Sequence, residues 1–363
     1  MTCFYLSIDW EDIIMDFIDE VLQTLRHDKY IIAEQIVGSQ DALVNFTNAQ
    51  RQASIRDAIY NIEYLVNSIE IDSVANFNAY IIWLRDILRT YQLEDKMLID
   101  HLNRLLDYVM GKYSEAFGNV IKPYIEEGIL SITNGEGEST SYLDSSGALK
   151  TLAHNYFNAL IEMNKNEAVK MILDSVERDE ITVKDLYLNV FTNVLYEIGR
   201  YWAMRKITIG QEHYATAVTV YTMSLLYDKI FNNEKKAHKM MGICVGDELH
   251  EVGIRMVCDI FEMSKWDTYY LGGNVPSESV LSELRNINPE IIAISVTLAS
   301  KVPACIELIR LIKKEYSNVK VVVGGRPFNT DKNLWKQVGA DGFSVDANEA
   351  VTLANLLVGD VNG

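Results

Sequence analysis

The chain has 363 residues, of which 48% are hydrophobic and 23% charged, and its formal net charge is −18. The length is sufficient for two or three domains that each bury a core, and the composition is typical of an ordinary globular protein. The negative charge argues against a nucleic-acid-binding surface, which needs clustered Lys and Arg.

The same sequence argues for a cytoplasmic location. It contains no run of 18 apolar residues, so no membrane-spanning helix is expected. The first 16 residues carry acidic side chains where a secretory signal peptide needs basic ones. Cys244, Cys258 and Cys305 lie in apolar runs, which predicts buried thiols in a reducing compartment. We expect neither a membrane nor a nucleic-acid partner.

Residues 1–133 are predicted to form an all-helical sensor or dimerisation domain. Apolar residues recur at helical spacing from Trp83 to Met110, and Pro123 is expected to end the last long helix or to begin a short one. The first 140 residues hold 10 Lys and Arg against 23 Asp and Glu, so the acidity is concentrated at this end. We expect a homo-oligomer, and this domain could supply the contact.

Residues 134–147 are rich in Gly, Ser and acidic residues and are predicted to be a linker. Residues 148–234 follow as a second helical block, and their short connections are typical of a four-helix bundle. The helices of this bundle are expected at 148–163, 165–177, 183–203 and 209–231. Residues 232–236 are expected to connect it to the last domain.

Residues 238–360 alternate between strand-like and helical patterns. Strands are expected at 240–245, 267–271, 291–296, 320–323 and 342–345. This alternation predicts right-handed βαβ units and a Rossmann-like (flavodoxin-like) parallel sheet. No Gly-x-Gly-x-x-Gly follows the first strand, so dinucleotide binding lacks its fingerprint.

The first strand is followed by Glu248-Leu-His250-Glu-Val-Gly253. A His at the end of a strand can reach a metal in the crevice above the sheet, and Glu248 can hold one ring nitrogen so that the other faces that metal. Gly253 leaves room beside the next helix for a bulky group. A lone His in this position is more often a core or capping residue, so other features have to support the metal interpretation.

This string resembles the (D/E)-x-H-x-x-G string of cobalamin-binding proteins, and the resemblance covers residues 146–358. It implies that His250 is the lower axial ligand of cobalt and that the displaced nucleotide tail runs beside Gly253. Ser295 ends the third strand, where the family places a serine near the benzimidazole. The remaining cofactor-binding positions that the resemblance implies are Thr297, where the family's Ser-x-Leu pattern has Leu, and the close-approach pair Gly324 and Gly325.

Trp202, followed after nine residues by Glu212-His213, resembles a string of adenosylcobalamin photoreceptors of the CarH type, here without their basic DNA-binding domain. The resemblance implies that Trp202 packs over the 5′-deoxyadenosyl group, that Glu212 contacts this group, and that His213 binds cobalt after photolysis. A core Trp and a Glu at a helix N-terminus would also be ordinary features.

The main hypothesis is therefore a light sensor without catalytic turnover. Photolysis of bound adenosylcobalamin would rearrange the helical cap and change assembly or contacts with an unknown signalling protein. One alternative is a corrinoid carrier of a methyltransferase system, which would use methylcobalamin. Another is a sensor of cobalamin concentration. A mutase subunit is disfavoured because the substrate-binding barrel of such enzymes is missing.

A second chromophore in residues 1–133 is a minor hypothesis. Some cobalamin photoreceptors that this chain resembles also bind a bilin, and aromatic residues that could line such a pocket are Tyr60, Tyr64, Tyr80, Trp83 and Tyr91. His101, beside Leu98 and Leu102, is spaced like a proximal haem ligand. Aromatic and His residues at helical spacing are more often ordinary core residues.

Overall fold

The computed structural model describes residues 10–40, 46–135, 141–231 and 238–359. The chain divides into two compact units, Met1–Glu138 and Ser139–Gly363. The division falls inside the stretch 134–147 that the sequence predicts as a linker. The second expected connection, residues 232–236, lies outside the described residues.

The described part of the N-terminal unit is helical. Hydroxyl groups of Thr47, Ser73 and Ser114 accept backbone N–H groups at the first turns of α2, α3 and α5, which satisfies donors that a helix start otherwise leaves open. The helices bury a common apolar core. Their bounds are α1 Trp10–Gly38, α2 Asn48–Glu70, α3 Val74–Thr90, α4 Asp95–Lys112 and α5 Glu115–Thr133.

The expectation that Pro123 ends or begins a helix is wrong, because Pro123 lies inside α5. Proline has no N–H to donate to the carbonyl of Asn119 four residues earlier. Both Pro123 and Asn119 are exposed, so water can satisfy that carbonyl. The opposite face of α5, with Phe117 and Ile121, is buried in the core and holds the helix together across the missing bond.

His101 is a buried, hydrogen-bonded core residue. The Tyr80 hydroxyl donates to Asn61 Oδ1 at 2.6 Å, and Asn61 Nδ2 lies 3.1 Å from His101 Nε2. An amide NH₂ can only donate, so Nε2 accepts and the imidazole is neutral. Burial lowers the pKa of His101 to about 4. This nitrogen is therefore already engaged within the core.

The aromatic residues suggested for a bilin pocket fall into two groups. The rings of Tyr64 and Tyr80 stack with centroids 3.7 Å apart, and Trp83 lies 5.8 Å from Tyr80. Tyr60 and Tyr91 are exposed. The first three therefore take part in the packing of the N-terminal unit, and a bilin site remains a prediction.

The C-terminal unit begins with a 3-10 helix and a four-helix cap. The 3-10 helix, Tyr142–Leu149, overlaps the end of the stretch 134–147 predicted as a linker and buries Leu143 and Ser146. The third cap helix runs from residue 183 to 203, as expected, with a π-helical turn in its middle. The segments are α6 Lys150–Ile161, α7 Lys165–Glu177, α8 Val183–Leu186, the π turn Tyr187–Phe191, α9 Thr192–Ala203, α10 Ile209–Leu225 and α11 Tyr227–Ile230.

The remaining residues form a five-stranded sheet in the order β2-β1-β3-β4-β5, and every strand pair is parallel. This confirms the predicted fold class. The strands are β1 Lys239–Cys244, β2 Asp267–Gly272, β3 Ile291–Ser295, β4 Lys320–Gly324 and β5 Gly342–Phe343. The helices between and after them are α12 Val252–Met263, α13 Ser277–Ile287, α14 Val302–Glu315, α15 Arg326–Thr330, α16 Leu334–Gln337 and α17 Ala347–Val358.

The strand order places a topological switch point between β1 and β3. The chain leaves these neighbouring strands in opposite directions, which opens a crevice at their carboxyl ends, where ligands of such sheets bind. Strand β1 is buried along almost its whole length, as expected for a central parallel strand covered on both faces. The loops that follow β1 and β3 therefore define the candidate site.

The cap docks on α12, the helix that follows β1. Ile230 of the cap and Ile254 of α12 belong to one continuous apolar core. The Tyr187 hydroxyl in the π turn donates to Asp259 Oδ2 at 3.0 Å. Nearer the start of α12, Arg255 Nε donates to the Tyr227 hydroxyl at 3.1 Å. The cap and the sheet domain are thus joined by both apolar packing and polar contacts.

Two further sequence expectations can be compared with the described residues. Cys244, Cys258 and Cys305 are buried free thiols, as expected. Within the described ranges, no helix is both long enough and apolar enough to cross a membrane.

Candidate functional site

His250 lies in the loop between β1 and α12, above the carboxyl end of β1. Its side chain is 59% exposed. Nδ1 is bonded to Glu248 Oε1, and since an ionised carboxylate can only accept, Nδ1 carries the proton. The lone pair of Nε2 therefore remains available for a ligand in the crevice.

Glu248 fixes this arrangement from a fully buried position, with only 1% of its side chain exposed. Oε1 also accepts the backbone N–H groups of Leu249 at 3.1 Å and His250 at 3.3 Å. Oε2 accepts the N–H groups of Thr297 and Leu298, both at 3.2 Å. One carboxylate thus connects the loop after β1 to the loop after β3, across the switch point.

The charges of this pair are strongly coupled. Burial alone would raise the pKa of Glu248, but the hydrogen bonds and charge of His250, together with backbone N–H donors, lower it to about 2. The hydrogen bond to Glu248 raises the pKa of His250 against the effect of burial. The carboxylate is therefore ionised at neutral pH and orients the imidazole.

Two glycines allow the backbone to approach closely at this edge. Gly325 has a φ of 106°, and a Cβ there would overlap the carbonyl oxygen of Val296. At Gly273, in the loop after β2, a Cβ would overlap the carbonyl oxygen of Glu248. The loops after β1 and β2, and those after β3 and β4, therefore meet only because these positions lack side chains.

The other predicted positions of the sheet domain lie at the same edge. Cys244, Ser295 and Gly324 are in register at the carboxyl ends of β1, β3 and β4. Thr297 contributes its backbone N–H to Glu248. Gly253 is in the first turn of α12, and a Cβ there would meet no atom within 4 Å, so this position faces open space.

The three cap residues are positioned by two consecutive helices. Trp202 lies in the last turn of α9 and is 46% exposed. Glu212 and His213 lie near the start of α10, which Thr208 begins with a capping box. Glu212 Oε2 lies 2.6 Å from His213 Nδ1, and the His213 side chain is 73% exposed.

A charged residue of the cap acts on His250 at the sheet edge. The charge of Glu212 contributes, after Glu248, to raising the pKa of His250.

Large apolar side chains are exposed both on the cap and on the loops of the sheet domain. In the cap they include Tyr196, Trp202 and Ile209, and in the loops after the strands Leu249, Leu298 and Val345. Exposed apolar surface of this kind is typical of a binding site for a large, partly apolar ligand.

Sequence reasoning missed one residue of the site, Glu251. Its Oε2 accepts the backbone N–H of Gly273 at 3.1 Å and so holds the loop after β2 against the His250 loop. An acidic residue directly after the candidate His was the available signal. Its partner Gly273 lies 22 positions away in the loop after β2, so only the strand order reveals the contact.

The arrangement suits a cobalt ion that a corrin ring already holds. Such an ion requires from the protein only an axial ligand, and His250 presents one oriented ring nitrogen. The open space at Gly253 leaves room beside α12, as a bulky nucleotide tail would require, whereas the space beside Gly325 is filled by the Val296 carbonyl. The residues present therefore fit cobalamin.

Comparison with known proteins agrees with this fit. A family model described as a B12 binding domain matches residues 238–352, and a second model with the same description matches residues 152–227. The first range contains the sheet and the His250 loop, and the second contains most of the cap. The N-terminal unit lies outside both ranges.

Curated relatives include dimethylamine corrinoid protein 3 of Methanosarcina acetivorans, which is 26% identical over 217 residues, 58% of this chain and 98% of the relative. Its counterpart in Methanosarcina mazei is 27% identical over 132 residues, 34% of this chain and 77% of the relative. The monomethylamine corrinoid protein of Methanosarcina barkeri has a similar fold, with a TM-score of 0.51 at 18% identity over 57% of this chain and 98% of that one. The C-terminal unit of this chain is therefore a cobalamin-binding unit whose relatives are corrinoid proteins.

Proposed function

We propose that this protein is a corrinoid carrier that works with a separate methyltransferase. The observation that carries the proposal is the oriented His250 above the switch point, in a unit whose cap and sheet together match corrinoid proteins named for methylamine systems. This replaces light sensing as the leading interpretation, because the relatives are corrinoid proteins of this kind. It gives the chain no catalytic turnover of its own.

Each residue of the site would have its own role toward bound cobalamin. When bound, cobalamin supplies a cobalt centre that can carry a methyl group. His250 would hold the cofactor through Nε2, and Glu248 orients the imidazole by accepting a hydrogen bond from Nδ1. Trp202, exposed at the end of α9, would contact the bound cofactor from the cap. The open position at Gly253 would leave room for the nucleotide tail.

The test is reconstitution of the full chain with methylcobalamin and with hydroxocobalamin, followed by absorption spectroscopy. We expect a bound, base-off spectrum in which the cofactor's own benzimidazole has been displaced. His250→Ala should lose this spectrum, whereas the matched control His238→Ala, at the opposite end of β1, should keep it. Failure of the wild-type chain to bind either form would contradict the proposal.

A light-responsive adenosylcobalamin sensor is the second candidate, favoured by the cap residues Trp202, Glu212 and His213. The His213 side chain is 73% exposed and has the carboxylate of Glu212 beside its Nδ1, so its Nε2 can reach a ligand. The cap could therefore supply a second axial imidazole. Its output would be a change of assembly or of contacts with a signalling protein.

Adenosylcobalamin separates the two candidates. The loaded chain is kept in the dark, its spectrum is recorded, and the measurement is repeated after green illumination. A sensor would convert irreversibly to a species that His213→Ala cannot form. A carrier would bind methylcobalamin with His213→Ala as well as with wild type, and any photoproduct would be independent of His213.

A further inference from the structure

Residues 141–146, here called the entry strap, run along one face of helix α9. They are the first described residues after the N-terminal unit, which ends at Glu138. The strap contains the start of the 3-10 helix, and Ser141 Oγ caps that helix by accepting the N–H of Leu143 at 3.3 Å. Leu143 is buried, so the strap is part of the folded C-terminal unit.

The strap is fastened to α9 by a buried carboxylate. Glu197 is 1% exposed. Its Oε1 accepts from Ser141 Oγ at 3.0 Å, and its Oε2 accepts the backbone N–H of Tyr142 at 3.1 Å. Arg200, one turn later on α9, donates Nε to Oε2 at 2.9 Å and so balances the charge. Among the described residues, the partners of this carboxylate come from α9 and from the strap.

Further contacts extend this attachment along the same face. Asn193, one turn before Glu197, donates Nδ2 to Ser146 Oγ at 3.1 Å. The rings of Tyr142 and Tyr196 are 5.4 Å apart. Positions 193, 196, 197 and 200 lie on one side of a helix, so the whole strap follows α9.

The angle between the strap and the following helix α6 is less restricted than the attachment of the strap to α9. Gly147 lies between them with φ 57° and ψ −129°, a conformation that interrupts the helical path. Few residues other than glycine adopt a positive φ, so this position can turn without a side-chain clash. A Cβ there would meet no atom within 4 Å, so the joint is also sterically open.

The same helix leads to the cofactor. Trp202 lies five residues after Glu197, in the last turn of α9. If the strap separated from α9, the buried carboxylate of Glu197 would lose two hydrogen-bond donors, which would be strongly destabilising. The strap and α9 are therefore expected to stay in contact. A ligand that contacts Trp202 would therefore act through α9 on the stability of residues 141–146.

We propose that Glu197 is a positioning residue that couples the cobalamin crevice to the entry strap, so that cofactor binding under Trp202 changes the stability of residues 141–146. The proposal rests on cobalamin binding by this unit. It adds a route by which bound cofactor affects the segment that follows the N-terminal unit. Because coupling is reciprocal, loosening the strap must weaken cofactor binding by the factor by which the cofactor stabilises the strap.

The experiment measures amide hydrogen exchange of residues 141–149 in the full chain, with and without hydroxocobalamin, while the visible spectrum reports binding. In the wild type we expect bound cofactor to slow exchange by roughly fivefold or more. Glu197→Gln should abolish most of this slowing and weaken hydroxocobalamin binding by a similar factor.

Ser141→Ala keeps the test decisive if Glu197→Gln does not fold, because it removes one strap hydroxyl and leaves the Glu197–Arg200 pair intact. Ser141→Thr retains the hydroxyl and should restore both effects. The matched control is Ser264→Ala, which loses a hydroxyl bond to Ile260 O in α12 and should change neither. Unchanged exchange at 141–149 in a chain whose spectrum shows bound cofactor would overturn the proposal and leave the carrier function standing.

Discussion

Glu248 is the residue on which the geometry of the site depends. Four N–H groups, two from each of two loops, converge on its carboxylate in addition to the His250 ring. Removing the carboxylate leaves buried donors without partners and frees the imidazole to rotate. Partners that orient a metal-bound His typically account for about 10–100-fold in metal affinity.

We therefore expect Glu248→Ala to weaken hydroxocobalamin binding by roughly 10–100-fold and to lower the melting temperature. Titration followed by absorption spectroscopy measures the affinity, and calorimetry measures the melting temperature. Glu290→Ala is the matched control, because Glu290 also accepts a backbone N–H, from Lys239, but at the opposite edge of the sheet. Equal affinity in Glu248→Ala and wild type would contradict the orienting role.

Two glycine substitutions are expected to have opposite effects. Gly325→Ala places a side chain at φ 106° against Val296 O and should destabilise the apo protein by roughly 1–3 kcal/mol or more. Gly253→Ala lies in a helix and meets no atom, so it should leave the apo protein equally stable or more stable by up to about 1 kcal/mol. Denaturant unfolding of both variants measures these changes.

The second variant also tests the path of the nucleotide tail. Although Gly253→Ala costs no stability, a methyl group in the open space beside α12 should reduce hydroxocobalamin affinity. If Gly253→Ala binds hydroxocobalamin as tightly as wild type, the tail does not pass that position.

At the scale of elements, α12 joins the His250 loop to the cap and carries an unusual acid. Burial raises the pKa of Asp259 to about 6, although the Tyr187 hydrogen bond and Arg255 oppose the shift. An unfolded Asp releases its proton near pH 4, so between about pH 4 and 6 the folded chain holds a proton that the unfolded chain has lost. The contribution of Asp259 to the free energy of unfolding therefore falls as pH rises through this window.

Asp259→Asn should therefore flatten the pH dependence of stability. Relative to wild type, the variant should gain up to about 3 kcal/mol between pH 4 and pH 7.5, because a shift of two pKa units corresponds to that energy. Denaturant unfolding of both proteins across this range measures the difference, with the exposed Asp228→Asn as control. Parallel curves for wild type and Asp259→Asn would contradict the assignment.

The elements themselves could largely be predicted from the sequence, because helical and strand periodicities differ and the chain alternates them regularly. The strand order could not be predicted. The contacts that depend on it could not be predicted either, namely Glu248 with Thr297, 49 positions apart, and Glu251 with Gly273, 22 positions apart. Pro123 was misassigned because single-residue propensity ignores which face of a helix is exposed. The 3-10 helix at 142–149 was hidden by a composition rich in Ser and Gly.

At the scale of the whole molecule, the two units should be separable. A fragment of residues 139–363 is expected to fold and to bind hydroxocobalamin with the spectrum of the full chain. A fragment that starts at residue 148, where the sequence places the cap domain, should be less stable. It lacks buried Leu143 and leaves Glu197 without the Ser141 and Tyr142 donors.

The expected loss of stability is roughly 3–6 kcal/mol, the sum of one buried Leu and a buried carboxylate missing two donors. Thermal unfolding of the two fragments measures it. Equal melting temperatures would show that the 3-10 segment is only a tether.

The position of Glu248's partners along the chain has a consequence for synthesis. Thr297 and Leu298 emerge from the ribosome about 50 residues after Glu248, and Gly325 later still. The cap, by contrast, is complete before the first strand is made. The cap sequence is therefore made before the residues that orient His250, and an oriented His250 can form only once β3 and the loop after it have been added beside β1. Cobalamin binding that depends on an oriented His250 is therefore expected only late in synthesis.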